Sequence, residues 1–507
     1  MHSDVKNKKS SWNFLSAIIL AFYAVLQLSR WGIFPQHFDI WYHLLTAWGF
    51  IKAGGYTTWD FWQYAPFGRP HIYPPLFHIM LALPMKMGID KILLAKLFNL
   101  AVPVIFLSTL WNFIRKYFNA RLAFLVLIVS SSSLSFYLSL ADHIPSTIAM
   151  IFGLLMFGEF FNKRFLRAGL LLALAFYTHI GTAWFLLISF FVYILLNTEE
   201  KRPGAMPVML GVLLSLPIIV QQALNINLIS LRNFNEQYFC EFKTIEYILA
   251  AFGLVLLFKK EKRLRLFAAF FIASFVYAKY SSRFFSSEGY LPIAILAAFS
   301  IDALFGYFGN KIRAKAFAAI VVLSILILSP TVAISLENAR PSFFKIYLFD
   351  STFMDMIFGF QKPPPASGAA YFNTYNMAAQ TIKDNSAPED IVYCTEETIG
   401  LCLAVLSGRA TADYLLPEVY SEQHSDAMAN SKMVIMLKYH SPEWVKDKVD
   451  RYGLKLIGKT NILDLYKNPS AEGKMRVKFA LVSFNHIFAA AILWLIAFIF
   501  VKGGGKR

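Results

Sequence analysis

The segment FDIWYHLL, residues 38–45, places three polar side chains on one face of a predicted helix. Asp39, Tyr42 and His43 are spaced i, i+3 and i+4, so their side chains lie together if the segment is helical. A carboxylate held in this way can act as a general base that takes a proton from a hydroxyl group. The alternative is structural. Since the segment follows a long apolar run, it could be an amphipathic helix at the membrane surface that the aspartate only caps.

The loop from residue 33 to residue 91 carries more polar side chains among aromatic ones. Aromatic rings stack on sugars, carboxylates accept hydroxyl protons, and arginine binds phosphate through two hydrogen bonds. This composition suits a ligand that is part sugar and part lipid phosphate. An interfacial helix anchored by its aromatic residues is the alternative. Besides Asp39 and His43, the polar candidates are Asp60, Arg69, His71 and His78.

A second acidic position follows in SLADHIPST, residues 139–147. Asp142 and His143 stand next to each other at the end of an apolar run. They could provide a second carboxylate or a metal ligand beside Asp39. Asp142 also fits the N-cap of a helix that begins near a proline, and this structural interpretation remains open.

Two later segments place ionisable groups at the ends of apolar runs. FYTHIGTAW, residues 176–184, has His179 between two short runs, either in an ordinary turn or facing a cavity. SSRFFSSEGY, residues 281–290, contains Arg283 and Glu288. The two residues either pair with each other, or Arg283 binds an anionic lipid head group. Arg283 could also simply extend toward the membrane surface.

The composition is that of a membrane protein. The chain has 507 residues, of which 57% are hydrophobic and 16% charged, and its mean hydropathy is +0.51. This balance is typical of a chain with several membrane-spanning helices. The net charge of +17 could suggest nucleic-acid binding. The basic residues cluster in short loops between apolar runs, however, which is typical of cytoplasmic loops. We therefore expect no nucleic-acid partner.

Twelve apolar stretches have a length close to that needed to span a membrane, which predicts about 12–13 transmembrane helices. A thirteenth candidate, 74–88, is short and contains three prolines. The distribution of Lys and Arg predicts that it does not cross, but lies at the interface or re-enters on the outer side. Both termini are then cytoplasmic and the polar loops lie outside. The stretches are 13–32, 92–114, 121–140, 144–161, 166–180, 182–198, 205–223, 245–258, 264–280, 288–308, 314–335 and 479–501.

Residues 336–478 have the composition of a soluble α/β domain. EETIGLCLAVLSGR predicts a helix that ends at Gly408, and SPEWVKDKVDRYG predicts another with a serine N-cap and a glycine stop. DIVYC and KMVIML predict short strands, and LKLIGKTNILDLYKN a closing hairpin. Three cysteines form no disulfide framework and match no metal-ligand spacing. Cys394 and Cys402 could pair, or could be two buried small residues.

These motifs together resemble the GT-C superfamily of membrane glycosyltransferases, and most of all the catalytic subunits of oligosaccharyltransferases. The resemblance is carried by FDIWYHLL, YPPLFH, ADH, FYTHIGTAW and SSRFF. It implies a sugar donor carried on a polyprenyl phosphate and an active site on the outer face of the membrane. It further implies that Asp39 is the catalytic carboxylate and that Arg283 contacts the donor phosphate. We also expect His71 to assist Arg283 in stabilising the leaving phosphate.

The resemblance also places Asp142 and His143 at the position of the second acidic motif, and from this position we expect their roles. Asp142 and His143, with His43, would orient the acceptor, and Asp39, Asp142 and His143 would hold a divalent cation such as Mg²⁺ or Mn²⁺ if one is used. Asp60, Arg69, His179 and Glu288 are further candidates. The chain departs from oligosaccharyltransferases in having no WWDYG segment, and TIEY (244–247) is not their Thr-Ile-x-Glu motif. ADH also carries one acid, where the oligosaccharyltransferase motif usually has two acidic or metal-binding positions. The sequence therefore supports neither protein N-glycosylation nor an obligatory metal.

We therefore predict a polytopic α-helical membrane protein with a GT-C-like domain (1–335), a small extracytoplasmic α/β domain (336–478), and a last transmembrane helix with a basic tail (479–507). The predicted activity is transfer of a sugar from a polyprenyl-phosphate donor, in the membrane lipid, to an acceptor on the outer face. A transporter or flippase of a lipid-linked or anionic substrate is the alternative. A non-catalytic scaffold would tolerate an asparagine at Asp39.

Overall fold

The computed structural model describes residues 2–33, 35, 39–228, 237–257, 262–307, 316–317, 319–320, 322–324, 330–337, 340–348, 351–352, 368–412 and 426–500. Helices dominate the described part of the chain. They run over His2–Ser29, Asp39–Ala53, Leu76–Lys86, Lys91–Tyr117, Ala120–Ser132, Leu134–Asp142, Ile144–Phe161, Phe165–Thr178, Ile180–Leu196, Lys201–Leu224, Thr244–Leu257, Arg265–Ser274, Ser281–Ser286, Tyr290–Tyr307, Gly368–Asn385, Glu397–Ser407, Ala427–Asn430, Pro442–Tyr452 and Phe484–Phe500. Contacts divide the chain into two compact units.

Several helices are long and apolar enough to cross a membrane. Within the described residues there are five such helices, and six if a bent pair counts as one span. Other predicted spans form shorter apolar helices, among them Phe165–Thr178 and Ile180–Leu196. The helix Leu76–Lys86 has 11 residues, or about 16 Å at 1.5 Å per residue, which is too short for a membrane core of about 30 Å. The segment 74–88 therefore does not form a span.

The first unit comprises residues 1–31, 98–217 and 232–363. Its helices pack closely where small residues allow it. A Cβ atom at Gly253 would lie 2.1 Å from the carbonyl oxygen of Leu296, so Gly253 brings the helices Thr244–Leu257 and Tyr290–Tyr307 together. The helices Ala120–Ser132 and Leu134–Asp142 meet at a bend of 85°. Ser133 lies at this bend and caps the second helix by accepting the N–H of Phe136.

The first unit also contains a sheet that the sequence analysis did not predict. Strands Gln237–Lys243, Thr331–Glu337 and Arg340–Tyr347 pair antiparallel, in the order in which they occur along the chain. Residues 331–335 were predicted as the end of a span, and this prediction is wrong. The burial of the middle strand alternates along its length, which is the period of a strand with one face turned inward.

The second unit comprises residues 32–97, 218–231 and 364–507. Its core is a five-stranded sheet with the order Lys455–Lys459, Leu463–Lys467, Met433–Leu437, Ile391–Cys394, Ala410–Thr411. The last three strands are parallel and the first two close the sheet as an antiparallel hairpin. The predicted strands and hairpin are confirmed.

The helices of this sheet begin and end where the sequence predicts. Gly408 ends the helix Glu397–Ser407 with φ +68°, and Gly453 ends Pro442–Tyr452 with φ +62°. At both sites the left-handed backbone favours glycine. Ser441 caps the second helix by accepting the N–H of Trp444. Cys394 and Cys402 are buried and not bonded to each other.

The first loop is joined to this sheet by backbone hydrogen bonds within the second unit. The strand Gly55–Tyr56 pairs with Val482–Ser483. The N–H of Ala65 donates to the carbonyl of Thr411 at 3.1 Å. The N–H of Thr411 donates in return to the carbonyl of Trp62 at 2.9 Å. The loop is therefore an ordered part of a folded unit. Its other strands are Trp59–Asp60 and Arg69–Pro70.

Candidate active site

Asp39 is the first residue of the helix Asp39–Ala53 in the second unit, and its side chain is half-buried. Most of the helix behind it is buried, including Tyr42 and His43 on the same face. A carboxylate at a helix N-terminus is stabilised in its charged form by the helix dipole. Asp39 is thus a carboxylate with partial access to solvent at the beginning of a rigid, buried helix.

A pair of histidines lies on the same face of this helix. Nδ1 of His43 is 2.9 Å from Nε2 of His78, which belongs to the helix Leu76–Lys86. Both side chains are buried, and the His71 ring lies 5.6 Å from that of His78. Burial lowers the pKa of His78 well below its usual value. The neighbourhood of His43 is therefore a buried histidine cluster, with one N–H proton between two rings.

His71 is enclosed by aromatic rings. Its ring centroid lies 5.4 Å from that of Phe50 and 5.5 Å from that of Trp62. Burial, with a smaller effect of the Arg69 charge, lowers the pKa of His71 to about 3. The imidazole is therefore neutral at neutral pH and can act toward a ligand only as a hydrogen-bonding group, not as a cation.

Asp60 and Arg69 form a buried ion pair. Nε of Arg69 lies 3.2 Å from Oδ2 of Asp60, and both side chains are almost fully inaccessible. Gln63 joins them: its N–H donates to Asp60 Oδ1 at 3.1 Å, and its Oε1 accepts from Arg69 Nη2 at 2.7 Å. Burial raises the pKa of Asp60 to about 6, although the Arg69 charge opposes this shift. These contacts join the strands of the loop and point to a structural role.

Asp142 and His143 belong to the first unit and are both half-buried. Asp142 is the last residue of the helix Leu134–Asp142, and His143 occupies the N-cap of Ile144–Phe161 without a side-chain cap. The N-cap interpretation of Asp142 is therefore wrong. Asn99 fixes this helix end, since its side-chain amide donates to the carbonyl of Ala141 at 2.6 Å.

Arg283 and Glu288 also belong to the first unit, and they pair with each other. Nη1 of Arg283 donates to Oε1 of Glu288 at 2.7 Å. The hydroxyl of Thr182 donates to the same oxygen at 2.7 Å. His179 lies at the N-cap of Ile180–Leu196, where its Nδ1 accepts the N–H of Thr182. The structure thus brings the two late candidate segments together in one cluster, and Thr182 is the member that the sequence analysis missed.

Another buried carboxylate in the first unit was not predicted as a site residue. Glu246 accepts hydrogen bonds from the hydroxyls of Ser132, at 2.9 Å, and Tyr290. Lys243 donates to the carbonyl of Ser132 at 3.1 Å. The signal available in the sequence was a glutamate that opens an apolar helix. This network surrounds the bend at Ser133 and supplies polar partners where the helix is interrupted.

The metal prediction receives no geometric support. Within the residues that the structure describes, no group of three or more His, Cys, Asp or Glu side chains is arranged to hold a metal ion. Asp39, Asp142 and His143, the predicted ligands, form no such group in this part of the chain.

Comparisons with known proteins identify the fold. No protein-family model matches the sequence, and no curated protein matches it. Solved structures do match. The oligosaccharyltransferase of Archaeoglobus fulgidus, in complex with Zn and sulfate, is 11% identical with a TM-score of 0.55, and the match covers 89% of this chain and 73% of that one.

Two further structures contain lipid phosphates. The archaeal oligosaccharyltransferase AglB from A. fulgidus, in complex with an inhibitory peptide and a dolichol-phosphate, is 10% identical with a TM-score of 0.53, over 84% of this chain and 69% of that one. ArnT from Cupriavidus metallidurans, bound to undecaprenyl phosphate, is 12% identical with a TM-score of 0.53, over 90% of this chain and 98% of that one.

The chain therefore has a GT-C-like fold, and its long apolar helices are those of a multi-pass membrane protein. The predicted resemblance and fold class are confirmed. At these identities the similarity is one of fold, and the roles of individual residues remain predictions.

Proposed function

We propose that this protein is a membrane glycosyltransferase that transfers a sugar from a polyprenyl-phosphate donor to an acceptor on the outer face of the membrane. The observation that carries the proposal is Asp39. It is a partly accessible carboxylate at the start of a buried helix, in a chain whose fold matches two structures that contain polyprenyl-type phosphates. A lipid-linked donor also explains why the enzyme is a membrane protein, because the donor cannot leave the bilayer.

In the proposed reaction, Asp39 acts as the general base. Its carboxylate takes the proton from an acceptor hydroxyl while the hydroxyl oxygen attacks C1 of the sugar. The bond from C1 to the phosphate oxygen breaks, and the electron pair stays on the polyprenyl phosphate. Attack from the face opposite the leaving group inverts the configuration at C1. The half-buried position of Asp39 suits this role, since it lets the carboxylate reach an acceptor while the helix behind it stays fixed.

Other residues bind and orient the two substrates. Arg283 contacts the donor phosphate and stabilises the charge that develops on it as the bond to C1 breaks. His71 is neutral and contributes at most a hydrogen bond. Asp142, His143 and His43 orient the acceptor. The active site and the α/β domain are extracytoplasmic, and both termini are cytoplasmic, as the distribution of Lys and Arg indicates.

The test is a transfer assay with purified protein and a panel of radiolabelled polyprenyl-phosphate sugars, with membranes of the source cell as acceptor. Wild type and Asp39→Asn are compared, each with and without EDTA. Asp447→Asn is the matched control, because its side chain is 64% exposed and lies on the helix Pro442–Tyr452.

The proposal predicts transfer by wild type and by Asp447→Asn, and a loss of at least 100-fold in Asp39→Asn with donor binding retained. Loss of activity with EDTA would restore the case for Mg²⁺ or Mn²⁺. Equal transfer by all three proteins would remove Asp39 from the mechanism. Binding of polyprenyl phosphates without transfer from any donor is the outcome expected of a transporter or flippase.

A further inference from the structure

The ion pair between Arg283 and Glu288 is unusual in its burial. Glu288 is 0% exposed and Arg283 is 12% exposed, so the carboxylate is enclosed while part of the arginine reaches the surface. A pair that served only to neutralise two charges would be placed more cheaply at the surface, where both groups keep their water. This difference in exposure indicates that the buried Glu288 carboxylate holds the Arg283 guanidinium on its protein-facing side.

Glu288 is itself held in place by the neighbouring helix. Its Oε1 accepts from the Thr182 hydroxyl and from Nη1 of Arg283, at 2.7 Å in each case. Thr182 is in turn fixed by His179, whose Nδ1 accepts the Thr182 N–H at 3.1 Å. The carboxylate therefore cannot rotate without breaking contacts to Ile180–Leu196.

The arginine is restricted from two further directions. Its guanidinium carbon lies 5.4 Å from the ring centroid of Tyr280, a geometry in which an arginine is attracted to an aromatic face. The turn that joins Arg283 to Glu288 is also tight. A Cβ atom at Gly289, the residue after Glu288, would lie 2.2 Å from the carbonyl oxygen of Phe284, so the backbone that carries the two charges folds closely back on itself.

We propose that Glu288 is a positioning residue that orients the Arg283 guanidinium toward the phosphate of the lipid donor. The inference rests on the proposed function, in which Arg283 contacts that phosphate. A guanidinium carries five N–H donors in a planar fork, so a carboxylate that accepts from Nη1 fixes the plane in which the guanidinium meets a phosphate. Glu288 Oε2 has no hydrogen-bond partner among the described residues. A buried carboxylate oxygen without a hydrogen bond lowers the stability of the fold, so stability alone does not explain this arrangement.

The proposal predicts that removing the Glu288 charge weakens phosphate binding, whereas charge repulsion alone predicts that it strengthens binding. If Glu288 only competes with the phosphate for Arg283, removing its negative charge strengthens anion binding. If Glu288 positions Arg283, the same change weakens binding, because the guanidinium loses its fixed orientation and binding then includes the entropy cost of ordering it. The direction of the change in affinity therefore separates the two mechanisms.

The experiment measures binding of farnesyl phosphate to the full-length protein in detergent, with wild type, Arg283→Gln, Glu288→Gln and the double variant. We expect Glu288→Gln to weaken binding by about 10- to 100-fold, the range typical for loss of an orienting group next to a binding residue. In the Arg283→Gln background the same change should have no further effect. A merely structural role of Glu288 would weaken both backgrounds alike.

Thr182→Val provides a second variant in case Glu288→Gln does not fold. It removes the hydroxyl that fixes Glu288 but keeps the ion pair, and it should weaken binding by about 3- to 10-fold, less than the loss of an orienting group. Tighter or unchanged binding in Glu288→Gln and Thr182→Val, with binding lost in Arg283→Gln, would overturn this inference alone. Binding that is equal in wild type and Arg283→Gln, or absent from wild type, would overturn the proposed role of Arg283 and this inference with it.

Discussion

The buried ion pair of the first loop allows a quantitative prediction about Arg69→Met. This change removes the guanidinium but keeps much of the side-chain volume. It leaves the Asp60 carboxylate, which is 1% exposed, without its cationic partner. Removing one member of a buried pair costs about 3–5 kcal/mol, because the other charge stays buried without compensation. We expect this cost at pH 8.

The same change should cost less in acid. The pKa of Asp60 is raised to about 6, so at pH 5 most of this carboxyl is already neutral in the folded wild type. A neutral carboxyl has little to lose when Arg69 is removed. We therefore expect a cost of about 1–2 kcal/mol at pH 5, which is the value of a lost hydrogen bond.

Hydrogen exchange in the loop measures this cost locally. The reporters are the N–H of Ala65, which donates to the carbonyl of Thr411, and the N–H of His71, which donates to the carbonyl of Thr58. If the loop opens locally, a loss of 3–5 kcal/mol lowers their protection at pH 8 by about 150- to 5,000-fold. Protection must be corrected for the intrinsic exchange rate at each pH.

Two variants control the experiment. The double variant Asp60→Asn/Arg69→Met should be less destabilised at pH 8 than Arg69→Met, since no charge is left without a partner. Arg451→Met, at an exposed position, should leave the loop unchanged. The reasoning fails if Arg69→Met keeps wild-type protection at pH 8, or if its effect at pH 5 is as large as at pH 8.

Three further predictions concern stability. Burial lowers the folded-state pKa of His71 to about 3, so only the unfolded chain takes up this proton as the pH falls below about 6.5. His71→Phe should therefore remove about 2.7 kcal/mol of destabilisation at pH 4.5. The measurement is the change in hydrogen-exchange protection of the loop between pH 7.5 and 4.5, which should be smaller in the variant than in wild type. Gly453→Ala, at φ +62° with no atom near the new Cβ, should cost about 1–2 kcal/mol through backbone strain alone, seen as a lower thermal midpoint. Tyr290→Phe removes a donor to the buried Glu246 carboxylate and should cost about 1–3 kcal/mol; a thermal midpoint in detergent equal to that of wild type would contradict it.

The parts of the fold that follow from local sequence were predictable. The helices that end at Gly408 and Gly453 are marked by glycine, and Ser441 marks the start of one of them. These signals act over a few residues, because capping and turn chemistry are local. The partnership of Arg283 with Glu288 was one of two options open from the sequence, since the two residues are close along the chain.

Pairings between distant segments were not predictable. The strand Thr331–Glu337 is apolar enough to resemble a membrane span, and its partner Gln237–Lys243 lies far away along the chain. The hydrogen bond between His43 and His78, and the contact of Thr182 with Glu288, likewise depend on packing. A single sequence shows which residues are polar within apolar runs, but it does not show which of them meet.

The pairing of Gly55–Tyr56 with Val482–Ser483 has a consequence for synthesis. About 430 residues separate Gly55 from Ser483, and ribosomes add about 5–20 residues per second. The strand Val482–Ser483 is therefore synthesised about 20–90 seconds after its partner in the loop. During that time the exposed edge of Gly55–Tyr56 is open to wrong partners. A nascent chain that stalls before residue 482 cannot complete the loop that carries Asp39, so truncated chains differ from the full-length chain by an unpaired strand.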